Sequence, residues 1–306
     1  MKKSLSILIP AHNEESRIGK ALDNLSKIKN AEIIVGLDGC EDRTEEIVKK
    51  YNFVKVIKNK KRQGKPKTLL KLLKKARGDV IIIHDADLIF FCKNINQLIK
   101  VFDNKGIGAV DIPNIFMDNE INFDSVLHLG DAWNTKFIVE YKVKKFTKKV
   151  NGLIYVDESK ATYFPFFVNI FRRGLIDDAK TLADDGERGI QILNKGYKIL
   201  VVMNSKNFPH FHVNYNDVNF KRMFHQKLRG RIAQKQVKRL YGMYSINFLN
   251  FHLPFMLYVF KNLNRIKKQR FKSISGIFLV WAIMFAAMIK ANFLKNITTK
   301  KGWGLR

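Results

Sequence analysis

The first hundred residues alternate short β-rich runs with helix-length amphipathic stretches, and that alternation confines the chain to an α/β fold built on a parallel sheet. Strands are expected at Leu5–Ile9, Glu32–Leu37, Val54–Ile57 and Val80–His84. Between them the pattern predicts helices around Arg17–Ile28, Asp42–Tyr51 and Lys67–Ala76, the last stopped by Arg77-Gly78. In a doubly wound sheet ligands collect beyond the carboxyl ends of the strands. The loops beginning at Pro10, Asp38 and Asp85 are therefore expected to converge on one crevice.

Composition narrows the class further. A chain of 306 residues suits one large catalytic unit with an appendage, and 46% hydrophobic against 27% charged residues is a globular balance. The 56 Lys and Arg against 27 Asp and Glu leave a formal net charge of +29, which favours polyanions: nucleic acid, anionic lipid or a phosphorylated substrate. A Lys-rich bias spread over solvated faces accounts for part of it. The only cysteines, Cys40 and Cys92, exclude a disulfide framework and a zinc-type ligand set. The N-terminus begins like a signal peptide, but the apolar run stops at Pro10 and carboxylates follow, so it is expected to be a buried first strand of a cytosolic catalytic part.

From Ala109 to Arg173 the pattern weakens, and the stretch YFPFFVNIF fits no element; this half is expected to meet the acceptor of any transfer reaction. Periodicity returns as a helix at Asp184–Asn194, a strand at Tyr197–Val202 and a basic helix from about Asp217 to Arg239. Beyond it lie two uncharged segments, Leu240–Phe260 and Ser273–Ile289, separated by a basic linker that includes Lys267 and Lys268. Both are near the lower length for a membrane span, ~17–25 residues. The first carries Asn247, Asn250, Pro254 and Tyr258 at helical steps and suits an in-plane helix; the second, without a strongly polar residue, suits a single span. A basic tail with Lys290, Lys295, Lys300, Lys301 and Arg306 follows.

Several residues at strand and helix ends carry chemistry. Pro10, Ala11, Asn13 and Glu14 sit where a strand end can hold a nucleobase or ribose. Asp38 can accept from a nucleobase N–H, with Gly39 permitting a tight turn and Asp42 capping the next helix. Gly64 and Lys65 precede a helix, where a cation and unpaired amides suit phosphate or ribose oxygens. The apolar run IIIH leads straight into Asp85-Ala86-Asp87, two carboxylates that need a cation, and hard oxygen donors point to Mg²⁺ or Mn²⁺. Asp184 and Asp185 open a helix; Asp184 suits an N-cap and Asp185 a general base. Gln226, Arg229 and Arg231 offer donors to a departing diphosphate, while His210 and His212 are either packed or able to reach metal or diphosphate.

Taken in order, S-I-L-I-P-A-H-N-E-E, a strand ending L-D-G, Q-G-K before a helix, R-G-D-V-I-I-I-H-D-A-D, A-D-D-x-E-x-x-I-x-x-L-N-K-G-Y-K-I and Gln226-x-x-Arg229 resemble the large second sequence family of inverting glycosyltransferases. The likeness runs from Ser4 to Arg231. It implies a GT-A, Rossmann-like, mostly parallel central sheet flanked by helices. To this the sequence adds C-terminal membrane-associated helices.

It also implies an inverting, metal-dependent hexosyl transfer from a nucleoside-diphosphate sugar to a hydroxyl or phosphate acceptor, lipid-linked or glycan, with no nucleic acid. Asp185 matches the catalytic Asp, Asp87 with Asp85 falls on the metal, Glu14 and Asp38 lie near the base, and Lys65 near ribose or phosphate. The expected division is a nucleotide-sugar-binding half at 1–108, an acceptor half at 109–239 and a membrane-associated segment at 240–306, at the cell membrane with the catalytic part on the cytoplasmic side. Gly230 replaces the family's Trp and Asp184 its Glu, which favours single addition over chain elongation. A basic nucleic-acid-binding protein and a metal-dependent nucleotidyltransferase are the rival readings.

Overall fold

The computed structural model describes residues 3–112, 126–160, 168–202, 208–213, 219–242, 248–265 and 270–294. Strands β1 (Leu5–Ala11), β2 (Ala31–Asp38), β3 (Val54–Asn59) and β4 (Val80–Ile83) run parallel in the order β3-β2-β1-β4. Every residue of β4 and all but Pro10 of β1 are buried. Strands covered on both faces have no polar side, which is why the sequence shows unbroken apolar runs there and no alternation. Edge strand β3 exposes Lys55 and Lys58, charges that discourage pairing with another chain.

The crossovers are α1 (Ile18–Leu25), α2 (Thr44–Lys49) and α3 (Lys65–Lys75). Helix α1 buries Ile18, Ala21, Leu22 and Leu25, one face at three- and four-residue steps.

After β5 (Leu88–Phe91) and α4 (Ile95–Val101) come β6 (Ile107–Asp111), α5 (Val126–Phe146), β7 (Thr147–Val150), β8 (Leu153–Val156) and β9 (Ile170–Arg172). Helix α6 (Asp184–Asn194), β10 (Lys198–Val201), β11 (His210–Val213) and α7 (Phe220–Tyr241) follow. The sheet extends past β4 as β9-β6-β10-β8-β7 to nine strands. Strand β9 is antiparallel to both β4 and β6, β10 is parallel to β6, and β5 and β11 form a separate antiparallel pair. The mostly parallel, helix-flanked sheet is the expected one.

The weak stretch after Ala109 differs from expectation by containing a 21-residue helix, α5. Its buried residues include Trp133, Phe137, Val139 and Phe146, which do not share one helical stripe, so no single amphipathic period marks it. Of YFPFFVNIF, residues 163–167 lie outside the described residues and the remainder leads into β9.

The expected helix over Leu240–Phe260 is broken. Helix α7 ends at Tyr241 on the left-handed Gly242, residues 243–247 lie outside the described residues, and a π-helical turn (Phe248–His252) precedes α8 (Leu253–Lys261). At 1.5 Å per residue, a nine-residue helix is far short of a bilayer core of ~30 Å. The second segment lies within α9 (Arg270–Phe293), which is long and apolar enough to cross a membrane by length and composition. Lys267, Lys268, Lys295, Lys300, Lys301 and Arg306 lie outside the described residues.

The chain forms two compact units, Met1–Asn114 with Lys148–Val156 and Phe166–Asn214, and Ile115–Thr147 with Asp157–Pro165 and Tyr215–Arg306. They interleave along the sequence and do not follow the linear division at 108 and 239, because β7 to β10 return to the sheet after α5 has left it. The second unit packs α5, α7, α8 and α9 around Trp133, Phe137, Met223, Phe255, Ile277 and Val280.

Candidate active site

Three loops meet at the carboxyl ends of β1, β2 and β4. His12 Nδ1 lies 2.8 Å from the Asp38 carbonyl, Glu41 N donates to Asn13 Oδ1, and Glu14 N lies 2.7 Å from Thr44 Oγ1. Glu14 is buried, with Arg17 at 3.3 Å, while Pro10 and Ala11 close β1 opposite Gly36 and Leu37. Gly39 has φ +63°, and a Cβ there would stand 2.4 Å from Arg62 N, so the turn after β2 admits only glycine. Asp42 accepts from Thr44 N and Oγ1 and from Glu15 N; it fastens the start of α2 and the β1 loop together.

Asp38 is 3% exposed. Its Oδ1 accepts from Asn59 Nδ2 at 2.9 Å and Gln63 N at 2.8 Å, and its Oδ2 from Gly64 N at 2.7 Å. Burial works to raise this carboxyl, and these bonds outweigh it, so Asp38 is held below the ordinary aspartate value. A nucleobase N–H would have to compete with donors already in place. The loop that Asp38 anchors delivers Lys65 to the start of α3.

Lys65 Nζ sits 2.8 Å from Asp85 Oδ1 and 3.8 Å from Asp184 Oδ2. Asp184 is not the N-cap of α6; Ala183 is. Its carboxylate is instead 4% exposed and bonded at 2.6 Å to Arg188 Nη1, one turn on. Arg188, 2% exposed, donates further to the Val168 carbonyl and Asn169 Oδ1. A chain of alternating charge, Asp85–Lys65–Asp184–Arg188, thus ties the end of β4 to the starts of α3 and α6. Burial works against the charge of Lys65, and the two carboxylates outweigh it, keeping it cationic.

Two carboxylates stand beside that chain, and among the described residues neither forms an ion pair within 4 Å. Burial, then the charge of Asp85, pushes Asp87 above the ordinary value; burial, then the charge of Asp184, does the same to Asp185. Asp185 Oδ1 accepts from Gly186 N at 2.8 Å. Ala86, between the two β4 carboxylates, is buried. Among the described residues no group of three or more His, Cys, Asp and Glu could hold a metal ion, and Asp85 and Asp87 offer two carboxylates just past the end of β4. Their hard oxygens and mutual repulsion fit a divalent cation such as Mg²⁺ or Mn²⁺.

His210, in β11, stacks on Phe91 and holds the Phe208 carbonyl through Nδ1; in register His212 pairs with Ile89, two residues past Asp87. Gln226, Arg229 and Arg231 belong to the other unit, on α7. Arg231 is 7% exposed, 2.9 Å from His252 Nε2 and over the Phe251 ring.

Sequence reasoning missed Arg188 and Glu187. Glu187 accepts from Lys180 N, Thr181 N and Thr181 Oγ1 and so fixes the loop before α6. The Asp184/Arg188 spacing of four on a helix was the available signal.

The sequence profile of glycosyl transferase family 2 matches residues 6–171. A probable glycosyltransferase of Bacillus subtilis, YdaM, is 43% identical over 212 residues, 64% of this chain and 48% of that protein. A dolichol-phosphate mannosyltransferase of Pyrococcus furiosus is 35% identical over 107 residues, 33% of this chain and 30% of that one. The chain thus spans about half the length, or less, of these relatives. Among solved structures, the mannosyltransferase PcManGT of Pyrobaculum calidifontis, with GDP-Man and Mn²⁺, superposes with TM-score 0.53 at 17% identity over 97% of this chain and 77% of that one. That likeness is one of fold, GT-A. With more than half of its length matched by the family profile, the chain belongs to glycosyl transferase family 2.

Proposed function

We propose that the chain moves a sugar from a nucleoside-diphosphate donor to a lipid-linked hydroxyl or phosphate acceptor, with inversion, at the cytoplasmic face of a membrane. The observation that carries this reading is the acid cluster at the end of β4 and the start of α6, where Asp85 and Asp184 meet Lys65 and Arg188 while Asp87 and Asp185 stand beside them. Carboxylates crowded against like charge are costly, and they gain a use when a dication and a hydroxyl proton arrive.

Asp185 is the general base. A carboxyl raised toward neutral pH is better matched to accept a hydroxyl proton than an ordinary aspartate. The acceptor oxygen attacks the anomeric carbon from the face opposite the nucleotide while its proton passes to Asp185, and a single displacement inverts the centre. Asp85 and Asp87 would hold a divalent ion, which would supply Lewis-acid stabilisation of the departing nucleoside diphosphate. The backbone around Pro10, Ala11 and Ala86, with Glu14 and Asp38, lines the nucleoside, and Lys65 meets the ribose or diphosphate. On α7, Gln226 and Arg229 remain the candidates for diphosphate contact. The lipid-linked acceptor is supported by the likeness to a dolichol-phosphate enzyme and by the apolar α9.

Calorimetric titration with a panel of nucleotide-sugars, with and without Mn²⁺, tests this reading. Metal-dependent binding of one nucleoside-diphosphate sugar, with nucleoside diphosphate released when acceptor is added, is the expected result. Pyrophosphate release would make it a nucleotidyltransferase, and salt-sensitive DNA binding with no metal-dependent donor binding would make it a nucleic-acid protein.

A further inference from the structure

From Asn219 to Arg306 the chain has 19 Lys and Arg and not one Asp or Glu. Within the same stretch, α8 and α9 are apolar on two sides. The inner stripes, Phe251, Phe255 and Val259 with Ile277, Val280, Ile283 and Met284, form the core of the helical unit. Among the described residues the outer stripes have no such cover: Leu249, Leu253, Leu257 and Phe260 recur at three- and four-residue steps and are 40–73% exposed. On α9, Phe271, Phe278, Leu279, Ile289 and Phe293 are 38–88% exposed. Arg270, Lys272 and Lys290 on α9, and Lys261 at the end of α8, are exposed at the ends of these stripes.

Composition alone makes α9 a span, but its packing against α5 and α7 argues against one. An added Cβ at Gly130 would stand 2.0 Å from the Gly276 carbonyl, and one at Gly276 would stand 2.1 Å from the Val126 carbonyl, so α5 and α9 cross backbone to backbone. On its other flank α9 meets α7, where Lys235 Nζ donates to the Ala291 carbonyl and Lys290 lies over the Phe224 ring. Helix α7 carries eight Lys and Arg in 22 residues. Taking α9 through the hydrocarbon would take that helix with it, at a cost on the order of 2.5–3.5 kcal/mol for each cation near the centre. Only 39% of the most apolar stretch of α9 is buried in the protein, so its other side needs a partner.

We propose that α8 and α9 form a monotopic docking surface: they lie in the plane of an anionic bilayer, outer stripes in the headgroup and acyl boundary, with no segment of α9 crossing it. The partner is a lipid surface because the flanking charge is wholly positive and the stripe wholly apolar, which matches anionic headgroups over acyl chains and mismatches another copy of the same cationic unit. The inference stands apart from the donor chemistry, since it rests on the helical unit alone and its test needs no turnover.

The full chain, with Cys40 and Cys92 replaced by Ser, is labelled through single cysteines at Phe271, Phe278 and Ile289, and added to preformed vesicles. The vesicles are phosphatidylcholine alone or phosphatidylcholine with a third phosphatidylglycerol. Expected are tighter binding to the anionic vesicles and one shallow depth for all three labels by quenching from spin labels at defined acyl positions. Phe278→Glu, an exposed site, should weaken vesicle binding by about tenfold or more while leaving the melting temperature unchanged. Depths that run from one leaflet to the other would establish a span and overturn the proposal. So would equal indifference to both vesicles, or self-association in solution that hides the Phe278 label.

Discussion

Asp38, buried at the end of β2, and Asp185, half-buried at the start of α6, are two acids of the same compact unit, and they are treated in opposite ways. Asp38, at the end of β2, is wrapped by donors from Asn59, Gln63 and Gly64 and held below the ordinary value. Asp185, at the start of α6, has a like charge for a neighbour and is held above it. The first carboxylate stabilises the fold by being ionised; the second destabilises it. A group kept at a cost while its neighbours are compensated is where function is to be sought.

The largest way to break this contrast is at the anchor that lets the α6 acids coexist. Arg188→Ala removes the 2.6 Å counter-charge of Asp184 and should cost ~3–5 kcal/mol in urea unfolding, with Arg188→Lys intermediate. Little change in the midpoint would mean that the charge chain does not hold the site. Next, Asp185→Asn should lower turnover by roughly a thousandfold with donor affinity near normal, measured as kcat against a calorimetric Kd, because a base acts on the acceptor. In the wild type the acid limb of kcat should fall above the ordinary aspartate range, activity rising with pH as Asp185 loses its proton.

Asp38→Asn should destabilise by ~1–3 kcal/mol, since an amide in place of one oxygen meets donors with a donor. The sign follows the depressed carboxyl: the wild-type advantage is present above the unfolded aspartate value and lost as pH falls through the native one. The smallest effect has the opposite sign. Asp185→Asn should raise the melting temperature by a few degrees near pH 8, and the gain should shrink as pH drops below the raised native value and be gone below the ordinary aspartate value, where both states are protonated.

Much of this arrangement is legible in the residues. The unbroken apolar runs of β1 and β4 announce central parallel strands, and Asp184–Asn194 is helical over the expected span. The meeting of the loops after β1, β2 and β4 follows from sheet topology. Other features depend on partners far away in sequence. Strand β9 is three residues long and takes its identity from pairing with both β4 and β6. Arg188 reads as a surface helix cation until Val168 and Asn169 close over it. Asp38 looks like an open acceptor at a strand end because the donors that fill it come from a loop some 20 residues later.

The most direct test places Asp38→Asn and Asp185→Asn side by side in thermal unfolding at pH 8, without metal or nucleotide. Opposite shifts are predicted, Asp38→Asn melting lower and Asp185→Asn higher than the wild type. If both melt lower, Asp185 is another structural carboxylate and its assignment as the base is contradicted.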